Sequence, residues 1–274
     1  MGPLGGLVYT AVAYACLQDS QFKKACYTNG VISAVTLIPA WLWIKPSTLY
    51  PRSFPLLKPM NPLNYSPTKD QGGLPALILF FLGYICLFFG LFTWPTFLPL
   101  LVASMPSPSW PTHGSIVLMI AFGIAALTAP LATSQYNLRS QGPLNTFILA
   151  TLLTGLGFLA PSQSPTFLTG AVCAIPFGLG LGAILGLYLR VTSVFLGDIK
   201  VGNHRDTAAR AAMLMTLAGI SATVGVVVTA VVVEMGVWGF QIAMLVNGVV
   251  VLFGAVLLWV ARWLKAGKKL WYCI

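Results

Sequence analysis

Long apolar runs, each about the length of a membrane-spanning helix, follow one another along this chain. A helix needs about 20 apolar residues to cross a bilayer, and it satisfies its backbone hydrogen bonds internally while doing so. Charged residues make up only 7% of the sequence, whereas about a quarter is usual in soluble domains. The sequence therefore predicts an all-α fold, a polytopic membrane helix bundle that has the lipid bilayer as its partner.

A polar segment, residues 45–73, divides the apolar runs into two groups. Proline recurs from Pro46 to Pro67, and because proline has no N–H with which to continue a helix or strand, we interpret the segment as a linker. Two runs precede it, Leu4–Leu17 and Cys26–Ile44, and the first is short for a span. The six runs that follow it are Leu74–Ala103, Gly114–Thr133, Pro143–Ala160, Thr166–Leu189, Ala208–Met235 and Phe240–Trp263.

These boundaries predict about eight transmembrane helices in four regions. Residues 1–44 form a two-helix unit and residues 45–73 the Pro-rich basic linker. Residues 74–264 form a six-helix unit, and residues 265–274 form a basic tail.

Lysine and arginine occupy alternate gaps between the runs, which is the pattern of cytoplasmic loops. They lie in the linker, at Arg139, in the loop 190–210, and around the C-terminus from Arg262 onwards, whereas the intervening gaps carry none. We therefore expect the linker and the C-terminus to be cytoplasmic, although Lys23 and Lys24 do not fit this pattern. Because topology accounts for the net charge of +10, no nucleic-acid partner is expected.

The ionisable residues argue against an enzyme. The carboxylates fall in predicted loops or at a helix end: Asp19, Asp70, Asp198, Asp206 and Glu234. No two of them are spaced as an acid–base pair on one helix face. His113 and His204 fall in loops on opposite sides of the membrane, so they could not share a metal ion. We expect no catalytic residue, no metal and no cofactor.

Small residues recur at every fourth position of the sixth long run. They are Gly170, Ala174, Gly178, Gly182 and Gly186. Residues at this spacing form one ridge on a helix, and a ridge of small residues lets a neighbouring backbone approach closely. The pattern predicts helix packing and says nothing about a substrate.

Hydroxyl side chains inside the later runs are candidates for lining a solute pathway. We name Tyr84, Thr93, Thr128, Thr216 and Ser221. A Ser or Thr hydroxyl in a helix can equally bond to a carbonyl of its own helix, so both interpretations stay open.

Three motifs carry a resemblance to a known family. Gly5–Tyr9, G-G-L-V-Y, looks like the glycine-rich start of the fifth helix of major facilitator superfamily transporters. Phe81–Phe92, followed by Pro95 and Pro99, resembles their seventh helix, and Gly142–Asn145, G-P-L-N, resembles the end of the loop between helices eight and nine. The chain is similar to the fungal monocarboxylate-porter-like branch, lacking its first four helices.

This resemblance implies a partial major facilitator fold that carries a small organic solute, such as a monocarboxylate or a secondary metabolite, across the plasma membrane. It also implies a gating loop at Arg139, Gly142 and Asn145, although Thr133 stands where the family usually has an aspartate. With four helices missing, we expect the chain not to concentrate a solute alone, since alternating access needs two halves around one site. A second copy of the chain could assemble with it.

Two other functions stay open at this point. The chain could be a non-transporting membrane remnant or an assembly protein. A polytopic membrane enzyme, such as a terpene-cyclase-like protein, is a weaker alternative, because the spans hold no buried carboxylates.

We predict that Asn64 is never glycosylated, although Asn64-Tyr65-Ser66 matches the acceptor pattern. A basic linker is retained in the cytoplasm, where the lumenal transferase cannot reach it. The measurement is electrophoretic mobility before and after glycosidase, with Asn64→Gln as the control. A glycosidase-sensitive shift that disappears in Asn64→Gln would overturn the predicted topology.

Overall fold

The chain is described by a computed structural model over residues 2–17, 22–43, 73–97, 111–163, 167–196, 204–234 and 239–266. These ranges contain helices and no strand, so the all-α prediction is confirmed for them. In chain order the helices are α1 Gly2–Leu17, α2 Phe22–Trp43, α3 Gly73–Leu91, α4 Pro111–Ala132, α5 Gln135–Ser140, α6 Pro143–Gln163, α7 Phe167–Leu196, α8 His204–Glu234 and α9 Gly239–Ala266.

Five helical segments in the described ranges are long and apolar enough to cross a membrane. They are Gly73–Phe97, Gly114–Ala132, Phe167–Thr192, Met213–Glu234 and Gly239–Lys265. The helices α1 and α6 contain shorter apolar stretches, Pro3–Val12 and Pro143–Leu159. In α2, polar residues such as Asn29 lower the apolar content. The fold is an integral membrane helix bundle, and the crossings expected beyond these five segments stay predictions.

The helices extend further than the apolar runs at two places where the sequence predicts a loop. Because α7 continues to Leu196 and α8 begins at His204, Arg190 and Arg210 belong to helices, and so does Asp206. A helix can continue beyond the bilayer because water solvates its polar side chains there, so hydropathy marks the membrane boundary and not the helix end. Of the proposed linker 45–73, residues 45–72 lie outside the described residues, and so do residues 267–274 of the proposed tail 265–274. Gly73 begins α3, and residues 265 and 266 belong to α9.

Glycines mark the lines along which α3 meets its two main neighbours. Gly83 lies against Gly254 and Leu258 of α9, and Gly90 lies against Asn247 of the same helix, so α3 and α9 run antiparallel. Gly225 of α8 lies against the backbone of Phe89 in α3. Ser221, four residues before Gly225, bonds to Ile85, which is four residues before Phe89. The helices α3 and α8 therefore run parallel.

The same contacts recur around α7. Gly180 of α7 lies against Ala150 and Thr154 of α6, and Gly157 of α6 lies against Phe177, so α6 and α7 run antiparallel. Residues 117–133 of α4 pack in order along the glycines of α7 from Gly170 to Gly186. The helices α4 and α7 therefore run parallel. The ridge of small residues that the sequence predicts on α7 therefore lies against α4.

These contacts give the six long helices an internal two-fold pattern. The first triplet is α3, α4 and α6, and the second triplet is α7, α8 and α9. In this pattern α3 corresponds to α7, α4 to α8, and α6 to α9. The antiparallel contact of α3 with α9 then corresponds to that of α7 with α6, and the parallel contact of α3 with α8 corresponds to that of α7 with α4. The contact of α6 with α9 corresponds to itself.

Gly155 of α6 lies against Leu252 of α9, and Gly248 of α9 lies against Phe158 of α6, so these two helices run antiparallel. Equivalent helices of the two triplets therefore point in opposite directions, and the second triplet is inverted relative to the first. Outside this unit, α1 packs on α4, and α2 packs on α1.

We predict that Gly182→Ala destabilises the protein, because a methyl group there would collide with the Thr128 hydroxyl and the Ala125 carbonyl of α4. Overpacking of this kind costs about 1–3 kcal/mol. The matched control is Gly219→Ala on α8, where a methyl group meets nothing within 4 Å. Thermal unfolding in detergent measures both variants, and equal midpoints would mean that α4 does not pack on the ridge.

Candidate functional site

Two hydroxyl groups bridge the two triplets at equivalent positions. Ser221 of α8 donates to the Ile85 carbonyl of α3 at 2.7 Å. Thr128 of α4 reaches the Gly178 carbonyl of α7 at 3.4 Å, while it also bonds to carbonyls of its own helix. The interval along the sequence from Thr128 to Ser221 has the same length as the interval from Ile85 to Gly178. The internal two-fold pattern therefore extends to individual hydrogen bonds.

Three of the five candidate lining residues lie at the α3·α8 pair. The Tyr84 ring is buried among aromatic rings of its own helix, 4.6 Å from the Phe88 ring centroid. Its hydroxyl donates to the Met215 sulfur of α8 at 3.9 Å. Thr216 follows Met215 and is exposed, and Ser221 lies further along the same helix. The α3·α8 pair thus brings Tyr84 and Ser221 to one helix interface, whereas Thr128 belongs to the α4·α7 pair.

Thr93, the fifth candidate, lies just beyond the end of α3. Its hydroxyl donates to the Gly90 carbonyl at 2.5 Å. Of the two interpretations left open by the sequence, Thr93 therefore shows the bond to a carbonyl of the preceding turn. The next residue, Trp94, is fully buried: its ring stacks on Phe177 of α7 at 4.1 Å, and its Nε1 donates to the Gly157 carbonyl of α6 at 3.2 Å. Trp94 therefore ties the end of α3 to two other helices.

The predicted gating loop is a capped turn in the structure. Ser134 caps α5, which contains Arg139. Gly142 has a φ of 77°, a left-handed conformation that glycine adopts without strain. Asn145 donates to the Gln141 carbonyl at 2.6 Å. These interactions give the loop between α4 and α6 a defined shape.

Two polar side chains of α9 are buried that the sequence did not mark as site residues. Asn247 is 2% exposed and donates to Thr229 of α8 and to the Ala243 carbonyl. Arg262, which the sequence assigned to the topology signal around the C-terminus, is 3% exposed inside α9. An asparagine in the middle of an apolar run was the available signal for the first of these.

Hydrogen bonding is the chemistry that these side chains can provide. In the described ranges, no group of three or more His, Cys, Asp or Glu side chains could hold a metal ion. Glu234 is exposed at the end of α8. The chemistry that the candidate residues provide is therefore hydrogen bonding by their hydroxyl groups.

We predict that Ser221→Ala lowers the free energy of unfolding by about 0.6 kcal/mol, the mean value for a hydrogen bond between membrane helices. Thr223→Ala is the control, because the Thr223 hydroxyl is exposed and bonds only to the Gly219 carbonyl of its own helix. The measurement is unfolding by a denaturing detergent. Equal stability of the two variants would contradict a stabilising bridge between α8 and α3.

Comparison with known proteins yields no relative: no protein-family model matches this chain, and no curated protein or solved structure matches it.

Proposed function

We propose that this protein is a transporter of the major facilitator type for a small organic solute, a monocarboxylate or a secondary metabolite. We place it in the plasma membrane, as the resemblance implies, with its C-terminus in the cytoplasm, as the distribution of lysine and arginine indicates. Its fold would be a partial major facilitator fold of the monocarboxylate-porter-like branch.

The observation that carries this proposal is the inverted pairing of the two helix triplets. Each six-helix half of a major facilitator transporter contains two inverted three-helix repeats. The helices α3, α4 and α6 pair with α7, α8 and α9 in the manner of such a repeat, and the bridges at Thr128 and Ser221 follow it. An inverted repeat places equivalent helices in opposite directions around one axis, which is the architecture that binds a solute near the membrane midplane.

The chemistry of the α3·α8 pair supports a carboxylate-bearing solute. Among the described residues, the Tyr84 hydroxyl donates only to a sulfur atom, at 3.9 Å, and sulfur is a weak acceptor. A carboxylate oxygen accepts much stronger hydrogen bonds, so the hydroxyl would exchange the sulfur for a solute.

The proposal is tested with purified protein in sealed vesicles and a panel of labelled monocarboxylates. We expect saturable uptake of at least one of them, above that of empty vesicles, through an assembly in which a second copy of the chain supplies the other half. This uptake should stop when the concentrations inside and outside are equal. A proton gradient should leave this plateau unchanged, because coupling needs an ionisable group at membrane depth and Glu234 is exposed at the end of its helix.

Tyr84→Phe is the matched variant for this experiment, because it removes the hydroxyl and keeps the ring. We expect the half-saturating concentration to rise about three- to tenfold, the effect of one lost hydrogen bond. Tyr9→Phe makes the same chemical change in α1, where the hydroxyl bonds to Ser33, and should leave uptake unchanged. An absence of saturable uptake across the panel would overturn the proposal and favour the alternative of an assembly protein.

A further inference from the structure

The outer faces of α4 and α8 correspond to each other in the internal two-fold pattern. The sequence interval that relates Thr128 to Ser221 also relates Ala125 to Ala218, and both alanines are buried. The correspondence therefore holds along the buried sides of the two helices, and the same interval identifies the equivalent residues on their outer sides.

The helix α1 covers part of the outer face of α4. Phe122 and Ala126 are half-buried there, and Gly6 of α1 lies against the Phe122 ring. The residues of α8 that correspond to these two, Met215 and Gly219, are exposed. A methyl group on Gly219 would meet nothing within 4 Å. Among the described residues, the outer face of α8 therefore lacks the covering helix that its counterpart on α4 has.

We call the exposed surface formed by Met215, Thr216 and Gly219 the open patch of α8. The helix α8 packs instead on α3, α7 and α9 through its other side. Thr216 and Gly219 are small, so another helix could approach this surface closely. The Met215 sulfur accepts the hydrogen bond of the Tyr84 hydroxyl, so a helix on the open patch would lie beside the hydroxyl that the proposed function assigns to a solute.

The helix α2 has an uncovered face of its own. It packs on α1, where Ser33 and Tyr9 share a hydrogen bond, and no other described helix packs extensively on it. Its opposite face consists of exposed residues at the spacing of one helix ridge, Tyr27, Val31, Ala34 and Ile38. Gly30, four residues before Ala34, is also exposed, and a methyl group on it would meet nothing within 4 Å. This face can therefore approach another helix closely.

The predicted topology gives α2 the same direction relative to α8 as α1 has relative to α4. The helix α1 begins on the cytoplasmic side and α4 ends there, at the Arg139 loop, so α1 and α4 are antiparallel. The helix α2 ends on the cytoplasmic side, at the linker, and α8 begins there, so these two are antiparallel in any two copies that share a membrane. The α1 helix of a second copy would instead run parallel to α8. The two-fold pattern therefore favours α2 as the covering helix.

We infer that α2 of a second copy of this chain packs on the open patch of α8. In a pair related by a two-fold axis along the membrane normal, each copy provides its α2 and receives the α2 of its partner, so the contact forms twice and closes the assembly. The inference depends on the internal two-fold pattern and the predicted topology, and it provides the second copy that the proposed uptake requires. A dimer without uptake would overturn the proposed function and leave this inference standing, because the test measures association alone.

The test measures the dissociation constant of purified full-length protein in detergent, by light scattering over a range of protein-to-detergent ratios. We expect the wild-type protein to contain two copies of the chain. Gly219→Trp changes the open patch and Ala34→Trp changes the exposed face of α2, and each places a bulky ring in both contacts of a symmetric pair. We expect either variant to raise the dissociation constant at least about tenfold.

Two controls separate the effect of the interface from the effect of the substitution. Gly219→Ala keeps the residue small, and Val256→Trp places the same ring at an exposed position of α9. Both should associate like the wild-type protein. If one of the interface variants does not fold, Thr216→Trp replaces Gly219→Trp and Gly30→Trp replaces Ala34→Trp, with the same expected result.

Mixing the two interface variants identifies which helices are in contact. In a mixed pair, the unaltered α2 of the Gly219→Trp copy meets the unaltered open patch of the Ala34→Trp copy, so one of the two contacts is restored. We expect the two variants, carrying different affinity tags, to co-purify more strongly with each other than either does with a second copy of itself.

Three results would overturn the inference. The first is a wild-type protein with one copy of the chain at every protein-to-detergent ratio. The second is that either Gly219→Trp or Ala34→Trp associates like the wild-type protein; loss of association in Gly219→Trp alone would indicate a contact between two α8 helices. The third is that the mixed variants co-purify no more strongly than each variant does with itself.

Discussion

Close backbone contact between helices is the interaction on which this bundle depends. Lipid tails are as apolar as leucine side chains, so apolar character alone does not hold one membrane helix to another. Van der Waals contact between closely packed backbones supplies the attraction instead, and glycine permits this close approach because it has no side chain. At Gly182, Gly225 and Gly180 a methyl group would collide with the backbone of the neighbouring helix. These three positions fix the pairs α4·α7, α3·α8 and α6·α7, from which the internal two-fold pattern follows.

Polar side chains in this bundle bond chiefly to backbone carbonyls. The hydroxyls of Thr151, Thr154 and Thr192 bond to the preceding turn of their own helices, which satisfies them without a partner helix. Ser221, Trp94 and Asn247 instead bond to another helix, and each lies where two or three helices meet. The few bonds between helices therefore identify the places where the arrangement of the bundle is specified.

The α3·α8 pair holds the residues on which the proposed function rests. Among the described residues, the Tyr84 hydroxyl has only a sulfur atom of α8 as its hydrogen-bond partner, whereas Ser221 of α8 bonds to the Ile85 carbonyl of α3. One pair of helices therefore carries both the hydroxyl that the proposed function assigns to a solute and a hydrogen bond that holds the pair together.

The sequence by itself determined the helical class, the position of most helices and the ridge of small residues, because hydropathy and a four-residue period are local properties. It also located Thr93, Thr128, Thr216 and Ser221 as polar residues within apolar runs. Which hydroxyl bonds to its own helix and which reaches another could not be predicted, since both choices satisfy the same local pattern. The tertiary structure alone decided that Ser221 reaches Ile85, that Asn247 Oδ1 has no hydrogen-bond partner among the described residues, and that the triplets pair in an inverted manner. These features depend on the register between helices, which residues far apart in the sequence determine together.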